Sequence, residues 1–190
     1  MSAVVSMKPP SFDGQPHYID RLRVAFEALP ALPEPAHALR LEEEAVAALS
    51  SVLALEEVVP RAAKDEEGEH AADFARLERK LDLVMELLAA RLRDEDGATE
   101  REVSFSADGA RWAWPQGEPP APGTIGIMTV FLHRLLPRPL QLPVQVMSDQ
   151  PGWMHAGFLK MGDNVEDLLV RHVFLRHRRG LAGARRARRA

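Results

Sequence analysis

The chain contains no cysteine among its 190 residues. Disulfide bonds, thiolate metal ligands and cysteine nucleophiles are therefore excluded. No apolar run approaches the roughly 18–20 residues that a membrane-spanning helix requires. The N-terminal stretch MSAVVSMKPPSFDGQ has no basic segment ahead of its short apolar run, so it lacks the pattern of a signal peptide. These absences favour a cytoplasmic protein.

The sequence also lacks the short motifs of common enzymes and metal sites. None of the seven histidines forms a His-x-x-x-His pair, and His172 and His177 are five residues apart, on different faces of a helix. There is no Gly-x-Ser-x-Gly elbow and no Gly-x-x-x-x-Gly-Lys phosphate loop. Ser104 or Ser106 as a nucleophile would need a neighbouring general base. We therefore expect no catalysis and no bound metal.

Charge is distributed unevenly along the chain. Residues 171–190 contain eight arginines and no acidic residue, so the total of −4 leaves −12 on residues 1–170. A basic tail on an acidic body indicates self-association, contact with an anionic partner, or a solubilising end. No Phe, Trp or Tyr follows Phe174. A dedicated nucleic-acid reader is therefore a minor alternative, in which the tail binds phosphates non-specifically.

Two compositional regimes indicate an α+β chain. Residues 16–95 are rich in Ala, Leu, Glu and Arg, and residues 99–162 are rich in Val, Ile, Phe, Trp, Pro and Gly. Helices followed by strands favour an α+β fold over alternating βαβ units. We predict a short helix over His17–Leu29 and a second helix from Pro35 to about Val59. The second helix carries an apolar stripe of Leu39, Val46, Leu49 and Leu53.

A third helix, over residues 70–94, has the spacing of a coiled-coil seam. Its apolar residues recur at steps of three and four, which is the a/d pattern of a heptad repeat. Arg91 takes the next seam position, and Leu83, Leu87 and Leu92 widen the stripe, as in a bundle of several helices. The helix is expected to mediate self-association, and the alternative is packing against the preceding helix of the same chain. The seam consists of Phe74, Leu77, Leu81, Val84 and Leu88.

Five short strands, separated by turn sequences such as Asp108-Gly109, predict a small antiparallel barrel. Pro143 lies inside one of them and predicts an edge strand or a bulge, because proline donates no ladder hydrogen bond. Trp112 and Trp114 share one face of a strand, which favours core packing. The predicted strands are Glu100–Ser106, Ala110–Trp114, Thr124–Leu132, Leu140–Met147 and Trp153–Leu159.

The last element is predicted to be a helix. Asp163 with Glu166 three residues later makes a start that resembles a capping box. Gly180 stands where the helix would end, after a basic segment that complements the helix dipole. Residues 181–190 are then expected to form a basic, disordered tail. The apolar face of this helix comprises Val165, Leu168, Leu169, His172 and Val173.

The predicted barrel and helix, residues 98–180, resemble the PilZ domain, the bacterial receptor module for cyclic di-GMP. The resemblance is carried by Ser106-Ala107-Asp108-Gly109 in the first hairpin and by the last strand and helix, GWMHAGFLKMGDNVEDLLVRHVFLRHRR. PilZ receptors have Arg-x-x-x-Arg before the first strand and Asp/Asn-x-Ser-x-x-Gly in the hairpin. Paired guanidinium groups can clamp phosphates and stack on guanine.

The sequence departs from both PilZ motifs. Ser104 takes the place of the aspartate or asparagine, and no arginine pair with a spacing of four lies shortly before the hairpin. Each lost charged contact removes roughly 1.5–3 kcal/mol, whereas micromolar binding requires about −8 kcal/mol in total. The motif is therefore degenerate, and we expect little affinity for the dinucleotide.

The long helix beside the barrel is similar to a divergent, tetrameric PilZ branch that lacks the dinucleotide signature. That resemblance implies a homotetrameric adaptor that contacts signalling or motility proteins in control of motility, biofilm or virulence. Residues 1–95 would form the oligomerising helical region. The alternative is a receptor that still holds cyclic di-GMP through a divergent site comprising Arg91, Arg93, Arg101, Ser104, Ser106 and Gly109.

Overall fold

A computed structural model describes residues 14–57, 76–77, 79–81, 83–85, 87, 97–114, 117–134, 136, 138–147 and 152–187, with side chains up to Leu181. Within these ranges the chain forms six strands and two long helices, in addition to the helical residues between 76 and 87. The strands are β1 His17–Ala28, β2 Thr99–Ser106, β3 Gly109–Ala113, β4 Ile125–Phe131, β5 Leu140–Val146 and β6 Trp153–Phe158. The helices are α1 Pro35–Glu57 and α2 Asp163–Ala187.

The six strands form a closed antiparallel barrel in the order β1-β2-β3-β6-β5-β4. β1 closes the barrel because it pairs with β2 along its first part and with β4 along its second. Tyr18 lies opposite Phe105 of β2, and Phe26 lies opposite Met128 of β4. The α+β prediction of a small antiparallel barrel followed by a helix is confirmed.

Alternating inward residues fill the barrel with apolar side chains, and α1 and α2 extend this core. Phe105, Met128, Leu142 and Met154 are completely buried, which follows from the two-residue repeat of a strand. Trp112 is buried and Trp114 packs against the same cluster, so the core prediction for these two tryptophans is confirmed.

The two helices pack against each other and against the barrel: α1 contacts β5, and α2 contacts β1 and β2. On α1, Leu49 and Leu53 are buried as the stripe predicted, whereas Leu39 is 58% exposed. On α2, Val165 and Val173 are among the buried residues, and Leu168 is partly buried, as predicted. The buried polar residues of both helices lie at this junction.

The helix predicted over His17–Leu29 is wrong, because these residues form β1 of the barrel. The prediction relied on Leu, Ala, Glu and Arg, which favour helices on their own. In the fold, the alternation of Tyr18, Leu22 and Val24 on one face governs the segment, because these three side chains are buried. The barrel therefore takes its first strand from before the helices, and residues 1–95 are not a purely helical region.

The five strands predicted after residue 98 are confirmed to within one residue at each end. The edge or bulge expected at Pro143 is wrong, since β5 pairs with β4 on one side and with β6 on the other. The Pro143 carbonyl accepts a hydrogen bond from Leu159 N at 2.9 Å, just beyond the end of β6. Proline is tolerated here because its missing N–H points toward the place where the β6 ladder has ended.

The predicted helix end at Gly180 is wrong as well. α2 continues through Gly180 to Ala187, so residues 181–187 are helical and the expected disordered tail does not begin there. Gly180 lacks the positive φ that a C-cap glycine adopts. Residues 188–190 lie outside the described part of the chain. The basic segment is therefore largely the C-terminal part of α2.

Candidate functional site

The serine of the hairpin motif is engaged entirely within its own turn. Ser106 Oγ donates a hydrogen bond to Gly109 O at 3.0 Å and accepts from Gly109 N at 3.1 Å and Asp108 N at 3.3 Å. Ser106 is 1% exposed. Serine at this position stabilises the β2–β3 turn by replacing backbone partners, in the manner of an ST turn. The Ser-Ala-Asp-Gly segment therefore has a structural role that needs no ligand.

The other predicted binding residues of the hairpin strand do not share a face. Arg101 and Ser104 are three residues apart on β2, so their side chains point to opposite faces of the sheet. Ser104 lies opposite Ile19 on β1 and Arg111 on β3. Arg91 and Arg93 lie outside the described residues. Arg101 and Ser104 therefore lie on opposite faces of β2, and the binding site that combines the arginines with the hairpin stays a prediction.

In PilZ receptors the arginine pair precedes the first strand, so the observed start of β1 places its expected position before His17. The first strand of the barrel begins at His17 and not at residue 99. Lys8 is the only lysine or arginine in residues 1–16, and the first arginine of the sequence is Arg21, within β1 itself. The segment directly before the first strand therefore offers no Arg-x-x-x-Arg pair.

A second polar constellation joins three elements of the fold. Tyr18 of β1 and His172 of α2 are hydrogen bonded, with 2.9 Å between Tyr18 Oη and His172 Nε2. His172 Nδ1 faces Glu56 Oε2 of α1 at 3.5 Å. A carboxylate only accepts hydrogen bonds, so an imidazole proton belongs on Nδ1, where it faces Glu56. Burial raises the pKa of Tyr18, which keeps that hydroxyl protonated.

Two arginines of α2 complete this cluster. Arg176 Nε lies 3.7 Å from Glu56 Oε1 and its guanidinium also pairs with Asp20, while Arg179 lies 3.9 Å from Glu56 Oε2. Burial alone would raise the pKa of Glu56. The hydrogen bond and charge of His172, together with both arginines, outweigh it, so that pKa is lowered. We call Tyr18, Asp20, Glu56, His172, Arg176 and Arg179 the junction cluster.

The junction cluster holds the fold together and has no room for a substrate at its centre. His172 is 0% exposed and Glu56 is 5% exposed. A cavity of about 430 Å³ lies at the edge of the cluster. Its lining includes the acidic side chain of Asp20 and the basic side chains of Arg176 and Arg179. Among the described residues, no group of three or more His, Asp or Glu could hold a metal ion.

Of this cluster, the sequence predicts only His172, on the apolar face of the last helix. It does not predict Tyr18 and Asp20, because their segment has the composition of a helix. The signal that could have revealed them is the alternation at Tyr18, Leu22 and Val24, with one polar residue, Asp20, on the same face. Glu56 carried no such signal, because one acidic residue near a helix end resembles an ordinary solvated residue.

The predicted seam is helical and exposed within the single chain. Residues 76–77, 79–81, 83–85 and 87 are helical where they are described. Leu77 and Leu81 are each 57% exposed and Val84 is 52% exposed, and Leu83 and Leu87 are similarly exposed. None of these residues belongs to the core cluster that contains α1. Phe74 and Leu88 lie outside the described residues. The alternative that the described seam packs against α1 is therefore wrong.

Comparison with known proteins identifies the barrel and its helices. A family model described as atypical PilZ domain, cyclic di-GMP receptor, matches residues 27–186. No curated protein matches the chain. Among the described residues, no helix has the length and hydrophobicity needed to span a bilayer.

One solved structure is similar over almost the whole chain. It is a pathogenic protein from Xanthomonas campestris, described as a tetrameric PilZ domain self-assembled via an unusual helical bundle. The two chains are 28% identical with a TM-score of 0.65, and the match covers 90% of this chain and 93% of that one. The similarity extends beyond the barrel to the helical part.

Proposed function

Because the chain belongs to the atypical PilZ family, we propose that it is a signalling adaptor in cyclic di-GMP-linked regulation that does not itself bind the dinucleotide. PilZ domains are receptor and adaptor domains and not enzymes. In this proposal the protein acts through contacts with other signalling or motility proteins. Control of motility, biofilm or virulence is the proposed setting, and the pathogenic character of the Xanthomonas relative supports the last of these.

The observation that carries the adaptor proposal is the missing arginine pair before β1. The segment in front of His17 contains one lysine and no arginine. Ser104 replaces the aspartate or asparagine that would accept hydrogen bonds from the ligand. The Ser106 hydroxyl is hydrogen bonded to Gly109 within its own turn. Each charged contact to a ligand is worth about 1.5–3 kcal/mol, so the loss of three consumes most of the roughly 8 kcal/mol that micromolar binding requires.

Self-association is the second part of the proposal. The exposed residues Leu77, Leu81 and Val84 repeat at heptad spacing on one helix. Burying such an apolar stripe away from water lowers the free energy. The described part of this chain does not cover the stripe. A bundle of these helices from several copies would do so, and the tetrameric relative built through a helical bundle supports a homotetramer.

Calorimetric titration of the full chain with cyclic di-GMP tests the ligand part. We expect no saturable heat at micromolar concentrations of protein and ligand. A PilZ receptor that retains both motifs serves as the positive control. Saturable binding in the micromolar range would refute the adaptor that does not bind the dinucleotide.

The description of the family as cyclic di-GMP receptors favours one alternative, a receptor with a divergent site. Arg91, Arg93 and Arg101 with the Ser104–Gly109 hairpin would then hold the dinucleotide. If binding is found, replacing Arg101 by alanine should weaken it at least tenfold, whereas Arg21→Ala, on the exposed face of β1, should leave it unchanged.

A further inference from the structure

α2 has an apolar stripe on its outer side in addition to its buried face. Val170 is 56% exposed, and Phe174 and Leu181 are each 50% exposed. Their spacings of four and seven residues place them within about 40° of one another around the helix axis, at 3.6 residues per turn. The helix therefore presents one face to the core and a second apolar stripe away from it, which no described residue of the chain covers.

The charges along the exposed side of α2 are sorted by sign. The first turns carry Asp163, Glu166 and Asp167, all exposed. Farther along the helix the exposed charges are basic, and the Arg178 guanidinium lies over the Phe174 ring at 5.6 Å. A helix that is acidic at its start and basic toward its end is complementary to itself when a second copy runs in the opposite direction.

We infer that α2 pairs antiparallel with α2 of a second copy of this chain. A twofold axis near residue 172 places Val170 against the partner's Phe174 and Asp167 beside the partner's Arg178. The same contacts then occur twice, as an isologous interface requires. A parallel pairing would instead put acidic residues opposite acidic residues and basic opposite basic.

The sorted charges also argue against a bilayer or a nucleic acid as the occupant. A helix that lies on an anionic surface carries basic residues along its whole polar face. Here the acidic first turns would be repelled by phosphate groups, although the basic end would be attracted. A second copy is the occupant that places the acidic start of one helix beside the basic part of the other.

This interface is separate from the proposed seam at residues 74–88 and is weaker on its own. Three half-exposed side chains bury less apolar surface than the roughly 800 Å² per partner of a standard stable interface. Combined with the seam, however, it would provide a second kind of twofold contact. Two different isologous interfaces on one chain can close a tetramer with D2 symmetry.

Disulfide trapping tests the pairing directly, because the chain has no cysteine of its own. Val170→Cys and Phe174→Cys are prepared as two variants of different tag length, mixed, and oxidised. Antiparallel pairing predicts that the mixed dimer exceeds either homodimer several-fold. Lys160→Cys, an exposed site outside α2, should give only the collisional background. Mixed dimer at the Lys160 level, or a predominant homodimer of Val170→Cys, would overturn the inference.

Charge reversal in the same assay separates pairing from fold stability. Asp167→Arg or Arg178→Asp alone should lower the yield of mixed dimer several-fold, and the two together should restore it. Both changes oppose the helix dipole, so the double variant is the least favourable for the helix itself. Restoration can therefore come only from contacts between copies, and a double variant with the lowest yield would count against the pairing.

The assay is repeated with Leu81→Asp in every chain, and the mass of each sample is measured by light scattering. If Leu81→Asp leaves the mass unchanged, the proposed seam fails. If the yield of mixed dimer stays at the collisional level both with and without Leu81→Asp, the α2 pairing fails. The two proposals can therefore be rejected independently.

Discussion

Tyr18 and His172 are 154 residues apart in sequence and are hydrogen bonded at 2.9 Å in the interior of the protein. Tyr18 belongs to the first strand and His172 to the last helix, so this contact ties the two ends of the fold together. Glu56 approaches the same imidazole from α1. The junction cluster therefore fixes how α1 and α2 sit on the barrel.

Replacing Tyr18 by phenylalanine should lower the free energy of unfolding by about 1–3 kcal/mol, because His172 Nε2 would remain buried without its partner. Urea unfolding followed by circular dichroism measures the change. Ser51→Ala is the control: it removes a hydroxyl that bonds only the Ala47 carbonyl of its own helix. A tyrosine variant as stable as the control would show that the hydrogen bond contributes nothing.

Replacing Glu56 by glutamine should cost roughly 3 kcal/mol near pH 7, since the buried carboxylate balances His172 and two arginines. Glu100→Gln is the matched control. It removes the carboxylate of an exposed pair with Arg21, and exposed pairs contribute at most about 1 kcal/mol.

The effect of Glu56→Gln should also depend on pH. The folded-state pKa of Glu56 lies below its ordinary value of 4.5. Its carboxylate therefore stabilises the fold above pH 4.5, and this contribution is lost as the pH falls below 4.5 through the lowered pKa. Unfolding curves measured between pH 3 and pH 6 should show that the difference in free energy of unfolding between parent and variant becomes smaller toward pH 3. A gap that widens there would contradict the assignment.

The two serines of the hairpin should respond differently to alanine. Ser106→Ala removes three hydrogen bonds of a buried turn and should lower the free energy of unfolding by about 1–2 kcal/mol. Ser104→Ala, at a half-buried outward position, should change it by less than about 0.5 kcal/mol. Thermal unfolding compares the two. Equal effects would show that the turn does not depend on the Ser106 hydroxyl.

Leu81→Asp should convert the assembled protein into monomers at micromolar concentration, because it places a charge in the apolar seam. Leu39→Asp is the matched control, since it introduces the same charge at an equally exposed leucine of α1. Light scattering reports both masses. A parent mass retained by Leu81→Asp, or lost equally by Leu39→Asp, would place the assembly surface elsewhere.

The sequence predicted the strands after residue 98 because their alternation and turn signals are local properties. The Asp108-Gly109 turn and the inward Trp112 follow from neighbouring residues alone. The apolar face of α2 was equally readable, because its buried residues recur with the helical period. The loss of the acceptor at Ser104 is visible in the sequence as well.

The sequence by itself thus determined five of the six strands, the final helix and the heptad stripe, since each depends on the period of side chains along one short segment. Only the tertiary structure decided that His17–Ala28 is a strand, because its pairing partners lie about 75 residues or more away at Glu100 and Phe131. Only the folded chain could bring Tyr18, Glu56 and His172 together. Contacts of this kind depend on how distant elements pack, and no local pattern of residues encodes that arrangement.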